Sequence, residues 1–202
     1  MLLTVHPKNP EEKKIERIVD VIRNGGIVIY PTDSVYGIGC DIFNQNAVEK
    51  ICKLKNIDVR KKPLSIICKD ISNISQYSNI SNDIFRLLKN NLPGPFTFIL
   101  KGNSQLPKIF KNRKEIGVRI PDNKIVQAIV AHLENPLMTT SIPLSENDEY
   151  EYATNAELIE ERLGYFADLI IDGGEGNRDV TTVVDCTSSE VEIVRQGIGE
   201  LE

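Results

Sequence analysis

Residues 31–39, with the sequence PTDSVYGIG, combine polar side chains and glycines directly after an apolar run. Thr32 and Tyr36 offer hydrogen-bond donors and acceptors, while Gly37 and Gly39 would let a backbone approach a ligand closely. In α/β sheets, ligands bind outside the carboxyl ends of strands, where such loops meet. The segment is therefore either a binding loop or an ordinary turn, and its pattern alone favours neither. The chain has no GxGxxG fingerprint and no Walker A motif, so the standard phosphate cradles are absent.

A run of cations at residues 53–62 is the second feature, with five basic side chains and one acid. Positive charge between a helix and a strand can neutralise the phosphates of a nucleotide or an RNA backbone, and such binding weakens as salt rises. A solvated surface loop is an equally good interpretation. A weaker basic cluster that extends the same face comprises Lys108, Lys111, Arg113 and Lys114.

Single polar residues near the ends of predicted strands form a third group. An arginine flanked by apolar residues, such as Arg119 or Arg195, must meet an acid, a ligand anion or solvent, because burying it unpaired is costly. We expect Arg119 to be held by ligand or solvent rather than by core contacts. Arginines with hydroxyls, and no evident pair of nucleophile and base, indicate the electrostatic catalysis of phosphoryl or nucleotidyl transfer. The hydroxyl residues are Thr97, Thr139, Thr140, Ser141, Thr181 and Thr182.

The composition excludes other kinds of chemistry. Of 202 residues only His6 and His132 are histidines, so the chain cannot build a multi-histidine metal site, and a Ser-His-Asp triad would need one of these two. His132 falls late in a predicted helix, where an imidazole is more often a capping group than a base. The four cysteines lack CxxC spacing, which favours reduced, packed thiols. The glycine-rich turn at residues 172–179 leaves metal or phosphate binding open.

The overall composition is typical of one soluble globular domain over residues 1–202, with 41% hydrophobic and 26% charged residues. The formal net charge of −5 argues against a surface that coats nucleic acid throughout. The surplus acids lie largely at 146–161, which we interpret as a solvated loop and helix face. No apolar run approaches the ~18 residues of a membrane span, and the start is too polar for a signal peptide. We expect a cytoplasmic protein with no membrane partner; its oligomeric state cannot be inferred from the sequence.

Hydrophobic periodicity predicts the elements that must position these residues. A helix over residues 10–24, with Asn9 as its N-cap, is followed by a glycine turn and a buried strand at 27–30. Similar units recur, including a helix at 81–90 with Ser81 as its N-cap, and they predict an α/β (α+β) fold with helices packed on a mixed sheet. The other predicted helices span 46–55, 122–133 and 154–163, and the other strands span 64–68, 96–100, 116–120, 137–140, 168–171, 180–185 and 191–195.

The order of these motifs resembles the YrdC/YciO family, and most of all its YciO branch. GGIVIYPTDSVYGIGC is followed by ICKLK, PLSIIC, LPGPFTFIL, IGVRIPD, MTTSIP, DLIIDGG, TTVVD and IVRQG. The resemblance covers residues 9–197. It implies a twisted, open, mixed sheet with a large basic cleft.

The resemblance also implies an activity, because the best-known members of the family are threonylcarbamoyl-AMP synthases for tRNA modification. These enzymes convert L-threonine, bicarbonate and ATP into threonylcarbamoyl-adenylate and pyrophosphate, usually with Mg²⁺. The implied ligands are therefore ATP and L-threonine, with Mg²⁺ accompanying the substrate and no resident metal. One alternative is a YciO-type protein that binds tRNA or double-stranded RNA without synthase activity. Another is an enzyme acting on a different small acid.

Three positions depart from the family pattern. The histidine expected at the end of the PLxxH strand is Cys68. The Lys-x-Arg motif reads KNI at residues 55–57, which loses the arginine, and Arg60 is the nearest substitute. The Ser-x-Asn motif reads SIP at residues 141–143, which loses the asparagine. The resemblance implies Lys55 and Ser141 as catalytic residues, and Thr32, Tyr36, Arg60, Thr97, Arg119, Thr182 and Arg195 as nucleotide- or substrate-binding residues.

Overall fold

Strands and helices follow one another largely in the order that the hydrophobic periodicity predicts. The computed structural model describes residues 1–59, 61–112, 114–144 and 150–202. The helices are α1 (Glu12–Arg23), α2 (Gln45–Leu54), α3 (Ile71–Tyr77), α4 (Asn82–Asn91), α5 (Lys124–Leu133), α6 (Tyr150–Thr154) and α7 (Ala156–Leu163), with a 3-10 helix at Lys108–Asn112. The strands are β1 (Leu2–Thr4), β2 (Val28–Tyr30), β3 (Gly37–Asp41), β4 (Ser65–Ile67), β5 (Phe96–Lys101), β6 (Glu115–Arg119), β7 (Leu137–Ser141), β8 (Leu169–Asp172), β9 (Thr182–Asp185) and β10 (Glu192–Arg195).

These strands form a single mixed sheet in the order β1-β8-β2-β3-β7-β4-β6-β5-β9-β10. The β1/β8, β8/β2, β4/β6 and β5/β9 pairs are parallel, and the others are antiparallel. The predicted fold class, helices packed on a mixed sheet, is confirmed.

The two faces of the sheet are covered differently. On one face, α1 packs against α5, and both bury apolar residues of β2 and β8. The opposite face packs against α2, α3, α4 and α7 in a second apolar cluster. Side chains alternate between the faces of a strand, so Ser65 shares the α1–α5 face with Ile67. Within the described residues, no helix packs over Ser65 and the neighbouring parts of β5, β6 and β9, and this half of the face is open.

The first helix begins later than the pattern over residues 10–24 predicts, because α1 begins at Glu12. The imidazole of His6 accepts a hydrogen bond from the backbone N–H of Asn9 (3.0 Å), so Asn9 belongs to a preceding turn. Glu11, and not Asn9, occupies the N-cap position.

The predicted loop at residues 31–39 also ends earlier than expected, because Gly37 and Gly39 belong to β3. A Cβ on Gly39 would meet the backbone oxygen of Met138 on β7 and lie 2.8 Å from the Tyr30 hydroxyl. The Tyr30 ring packs over both glycines, and its hydroxyl donates to Thr139 Oγ1 (2.7 Å). These glycines therefore let β3 lie close beneath Tyr30 and beside β7.

His132 joins α5 to α1 on the outer side of the molecule. Its Nδ1 lies 2.9 Å from the Ala128 carbonyl oxygen and its Nε2 lies 2.8 Å from Glu12 Oε1. The hydrogen bond to Glu12 raises the pKa of His132 above its ordinary value of 6.5. This contact is structural, in agreement with the capping interpretation.

The His132–Glu12 contact predicts a small pH dependence of stability. Because the pKa of His132 is higher in the folded than in the unfolded state, the contact adds to the free energy of unfolding. This contribution is complete below pH 6.5 and is lost as the pH rises through the pKa of the folded state. Glu12→Gln should therefore lower the free energy of unfolding by a few tenths of a kcal/mol, up to about 1, at acidic pH, and by less at alkaline pH. Urea unfolding of both proteins at about pH 5 and about pH 8 measures this. An equal difference at the two pH values would contradict it.

The four cysteines are free and buried, as the sequence predicts. Burial raises the pKa of each thiol, so none is a ready nucleophile. Among the described residues, no helix has the length and apolar character needed to cross a membrane.

Candidate nucleotide-binding cleft

The open half of the sheet forms the floor of a cavity of about 320 Å³, which we call the cleft. Strand register places Thr139, Ser65 and Gly117 in one row across β7, β4 and β6, with Ile99 next on β5. A Cβ on Gly117 would meet Ser65 Oγ and lie 3.2 Å from Thr97 Cγ2, so the missing side chain deepens the cleft. Hydroxyl groups in the lining come from Ser34, Ser65, Thr97, Thr139, Thr140, Ser141 and Thr181.

Arg119, the last residue of β6, lines the cleft and is only 9% exposed. Its Nη2 donates to Asp33 Oδ1 (2.9 Å) and to Ser34 Oγ (3.2 Å). The other Asp33 oxygen accepts from the backbone N–H of Asp122 (2.8 Å). Arg119 Nε is buried and has no hydrogen-bond partner among the described residues.

This geometry corrects one expectation about Arg119. The prediction that it must meet an acid, an anion or solvent is confirmed by Asp33, whereas the prediction that ligand or solvent rather than core contacts would hold it is wrong. Burial raises the pKa of Asp33, and the Arg119 guanidinium opposes that shift; burial likewise lowers the pKa of Arg119, and Asp33 opposes it. Each charge therefore depends on the other.

Thr32 lies beneath the cleft and is 8% exposed. Its Oγ1 accepts from the backbone N–H of Ser34 (3.0 Å) and donates to the backbone oxygen of Val35 (2.9 Å). Ser34, which also contacts Arg119, lines the cleft and Thr32 does not. The structure therefore gives Thr32 a supporting position rather than a place on the cleft surface.

Arg195 closes the opposite side of the cleft from the edge strand β10. Its Nε and Nη2 donate to the backbone oxygen of Thr181 (3.2 and 2.9 Å), and Nη2 also donates to Thr181 Oγ1 (3.1 Å). Thr181 Oγ1 lies 3.0 Å from Thr97 Oγ1. These contacts hold Arg195 and two hydroxyls together in the cleft wall.

Lys55 lies beside the end of β7, although the two are far apart in sequence. Its Nζ donates to the backbone oxygen of Ile142 (3.0 Å), next to Ser141 in the cleft lining. Burial lowers the pKa of Lys55. Ser141 thus lines the cleft, whereas Lys55 lies outside the lining and contacts the residue that follows Ser141.

Comparison with known proteins identifies the family. A sequence profile of the Sua5/YciO/YrdC family, described as telomere recombination, matches residues 20–197. The chain belongs to the Sua5/YciO/YrdC family. The predicted resemblance is therefore confirmed.

Relatives from this family cover nearly the whole chain. The crystal structure of Escherichia coli YciO, an uncharacterized protein, is 40% identical, covers 99% of this chain and 97% of its own, and superposes with a TM-score of 0.91. A Methanocaldococcus jannaschii protein provisionally named threonylcarbamoyl-AMP synthase is 31% identical over 98% of this chain and 93% of its own. P. abyssi Sua5, crystallised with L-threonine, is 28% identical, covers 98% of this chain and 57% of its own, and has a TM-score of 0.87.

Two of the three departures from the Sua5/YciO/YrdC motifs lie near Lys55, and the third, Cys68, is buried in the core. Ile57 replaces the arginine and contributes an apolar side chain to the cleft lining. Pro143 replaces the asparagine, and a proline has no side-chain donor. Arg60, the predicted substitute, lies outside the described residues, as do Arg113 and residues 145–149 of the acidic stretch. Lys62, from the same basic run, does line the cleft.

Tyr36 and Thr182, two family positions predicted to bind nucleotide or substrate, do not line the cleft. Tyr36 is fully buried and donates its hydroxyl to the backbone oxygen of Gly174 (3.0 Å). Thr182 is fully buried on the helix-covered face and donates to the backbone oxygen of Gly199 (2.7 Å). Of the pair at 181–182, Thr181 is the residue that faces the cleft. The structure brings Thr97, Arg119, Ser141 and Arg195 together in the cleft lining and places Lys55 next to it, against Ile142. It does not bring Tyr36 or Thr182 to them.

Asp33 belongs to the motif at residues 31–39, but the sequence analysis assigned it no role in the site. The requirement that Arg119 meet an acid was the available signal, and Asp33 lies in the polar segment after β2. Strand order was needed to choose it among 29 acidic residues. The glycine-rich turn at 172–179 packs against Tyr36 through Gly176. Among the described residues, no three His, Cys, Asp or Glu side chains are grouped so that they could hold a metal ion.

Proposed function

We propose that this chain binds ATP with Mg²⁺ and transfers its adenylyl group to N-carboxy-L-threonine, the carbamate that forms from L-threonine and bicarbonate, releasing pyrophosphate. The observation that carries the proposal is Arg119, buried in the floor of a hydroxyl-lined cleft with an unpaired Nε. Arg119 lines the cleft, and a guanidinium held by one ion pair keeps further donors. An anionic group bound in the cleft would meet this charge.

The other cations in the cleft support the same chemistry. Arg195 and Lys62 line the cleft together with Arg119, so cationic groups would flank a bound polyphosphate on more than one side. Lys55 lies just outside the lining, next to Ser141. Nucleotidyl transfer needs positioning and neutralisation of charge more than a nucleophilic side chain. The L-threonine bound in the related P. abyssi Sua5 supports threonine as the amino acid.

The motif departures lead us to expect a slow enzyme. Loss of one preorganised donor from a site of charge development typically costs about a hundredfold to a thousandfold in kcat. Ile57 and Pro143 each remove a polar group from the corner of Lys55. We therefore expect this chain to have a lower kcat than relatives that keep both motifs.

Pyrophosphate release is the direct test. The purified chain is incubated with ATP, Mg²⁺, bicarbonate and L-threonine, and the adenylate is identified by mass spectrometry. We expect threonine-dependent release that Arg195→Ala reduces and Arg86→Ala, at an exposed residue of α4, does not. Release only with another amino acid would change the substrate, and no release with any of them would refute adenylate transfer.

An RNA-binding function is the second candidate, favoured by a neighbouring groove. This groove of about 550 Å³ is lined by Lys53 and Lys108 and shares Ile57 with the cleft. It thus brings the two basic clusters of the sequence together. Salt-sensitive binding of double-stranded RNA or tRNA by a chain that releases no pyrophosphate would favour this function.

Lys62 should contribute to ATP binding, because it is exposed, lines the cleft and belongs to the loop that lost the family arginine. Lys62→Ala should weaken ATP binding severalfold, since a charge-assisted contact to phosphate is worth about 1 kcal/mol or more. The dependence of affinity on salt should also become less steep. Calorimetric titration at two salt concentrations measures both, with Lys108→Ala as the matched control. Equal effects of the two substitutions would contradict this role for Lys62.

A further inference from the structure

The ion pair between Asp33 and Arg119 joins three parts of the cleft. Asp33 follows β2, Arg119 ends β6, and Asp122 lies in the turn that leads into α5. The side chains of the pair are 9% and 10% exposed, so the contact is buried from solvent. One carboxylate thus ties the loop after β2 to the end of β6 and to the turn that follows it.

Both oxygens of Asp33 are occupied by different donors. Oδ1 accepts from Arg119 Nη2, and Oδ2 accepts from the backbone N–H of Asp122. The carboxylate therefore does not form two parallel hydrogen bonds with the guanidinium. Such a bidentate pair would occupy a second nitrogen of Arg119 as well. Arg119 is held through one nitrogen, and Nε keeps its hydrogen-bonding capacity.

We infer that Asp33 is a positioning residue, which fixes the Arg119 guanidinium so that the part of it that lines the cleft meets an anionic group of the bound nucleotide. This inference rests on the proposed function. Asp33 itself does not line the cleft, whereas Arg119 and Ser34 do. Asp33 therefore acts on the ligand through Arg119.

Simple electrostatics and positioning predict opposite results when Asp33 loses its charge. If Asp33 were only a negative charge near the cleft, its neutralisation would strengthen the binding of an anion. If it holds Arg119 in place, neutralisation weakens binding. An amide at this position has one oxygen for two donors, so either Arg119 or Asp122 would face an NH₂ group.

The test is titration of Asp33→Asn with ATP and Mg²⁺ by calorimetry, after circular dichroism has shown the variant to be folded. We expect Kd to rise about tenfold or more, the scale of a lost hydrogen bond to a charged group. Asp83→Asn, which changes an exposed ion pair with Arg86, is the matched control and should leave Kd unchanged. If Asp33→Asn does not fold, Asp33→Glu keeps the charge, displaces the carboxylate and is judged by the same criterion.

A second readout reports on Arg119 directly. In the wild type labelled with ¹⁵Nε-arginine, the Nε–H resonance that Arg119→Lys removes should shift when ATP is added. The same resonance should already be displaced in ligand-free Asp33→Asn. Unchanged or tighter ATP binding by the Asp33 variant would overturn the positioning role alone. Absence of ATP binding by the wild type would overturn the proposed function and this inference together.

Discussion

Arg119→Met should lower the free energy of unfolding by about 3–5 kcal/mol, because it leaves the Asp33 carboxylate buried without its counter-charge. Methionine fills similar volume, so the effect reports on charge more than on a cavity. Urea unfolding near neutral pH measures it. The loss should shrink as the pH falls, since burial raises the pKa of Asp33 and a proton taken up in the folded state removes the unpaired charge.

Two variants make this result specific. Asp33→Asn/Arg119→Met replaces the pair by neutral groups and should recover most of the lost stability, because neutral substitutes for a buried ion pair are often tolerated. Arg86→Met removes an exposed arginine paired with Asp83 and should change stability by less than about 1 kcal/mol. An Arg119→Met protein as stable as the wild type would show that the ion pair does not support the fold.

Lys55→Ala should reduce pyrophosphate release by about a hundredfold to a thousandfold, the usual consequence of removing one electrostatic donor from a catalytic site. Lys55 lies beside Ser141, and its ammonium contacts only the Ile142 carbonyl oxygen in the described hydrogen bonds. The fold should therefore tolerate the change. Initial rates at saturating ATP and threonine measure the effect on kcat.

Lys53→Ala is the matched control for Lys55→Ala. Lys53 is exposed, lies two residues earlier at the end of α2 and lines the neighbouring groove rather than the cleft. Its removal should leave the rate within about twofold, because an exposed charge outside the site acts through a screened field. Equal losses for both variants would assign the effect to general positive charge and not to Lys55.

Local features of the sequence predicted most elements correctly. Ser81 is the N-cap of α4, and its hydroxyl accepts from the backbone N–H of Ile84 (3.3 Å). Such contacts join residues three apart, so their pattern is visible in the chain. The short strand β1 and the polar helix α3 carry too few periodic apolar residues to be predicted. The strand β3 was not predicted because its glycines are typical of a loop, and their close packing against Tyr30 and β7 is seen only in the structure.

The cleft was only partly predictable, because alternation along a strand decides which of two neighbours faces it. Thr181 and Thr182 are chemically equal in sequence and both are buried, yet Thr181 lines the cleft beside Arg195 whereas Thr182 donates to Gly199 on the other face. In the same way, Tyr36 belongs to a polar motif and ends in the core. Residue type alone cannot make these distinctions.

By itself, the sequence determined the fold class, the family and the cationic and hydroxyl character of the cleft residues, since these follow from periodicity, motif order and side-chain chemistry. Only the tertiary structure decided that Asp33 pairs with Arg119 across 86 positions and leaves Arg119 Nε unpaired. That pairing depends on strands that are distant in the chain and meet in one sheet. Asp33 could therefore be identified as the partner of Arg119 only once the strand order was known.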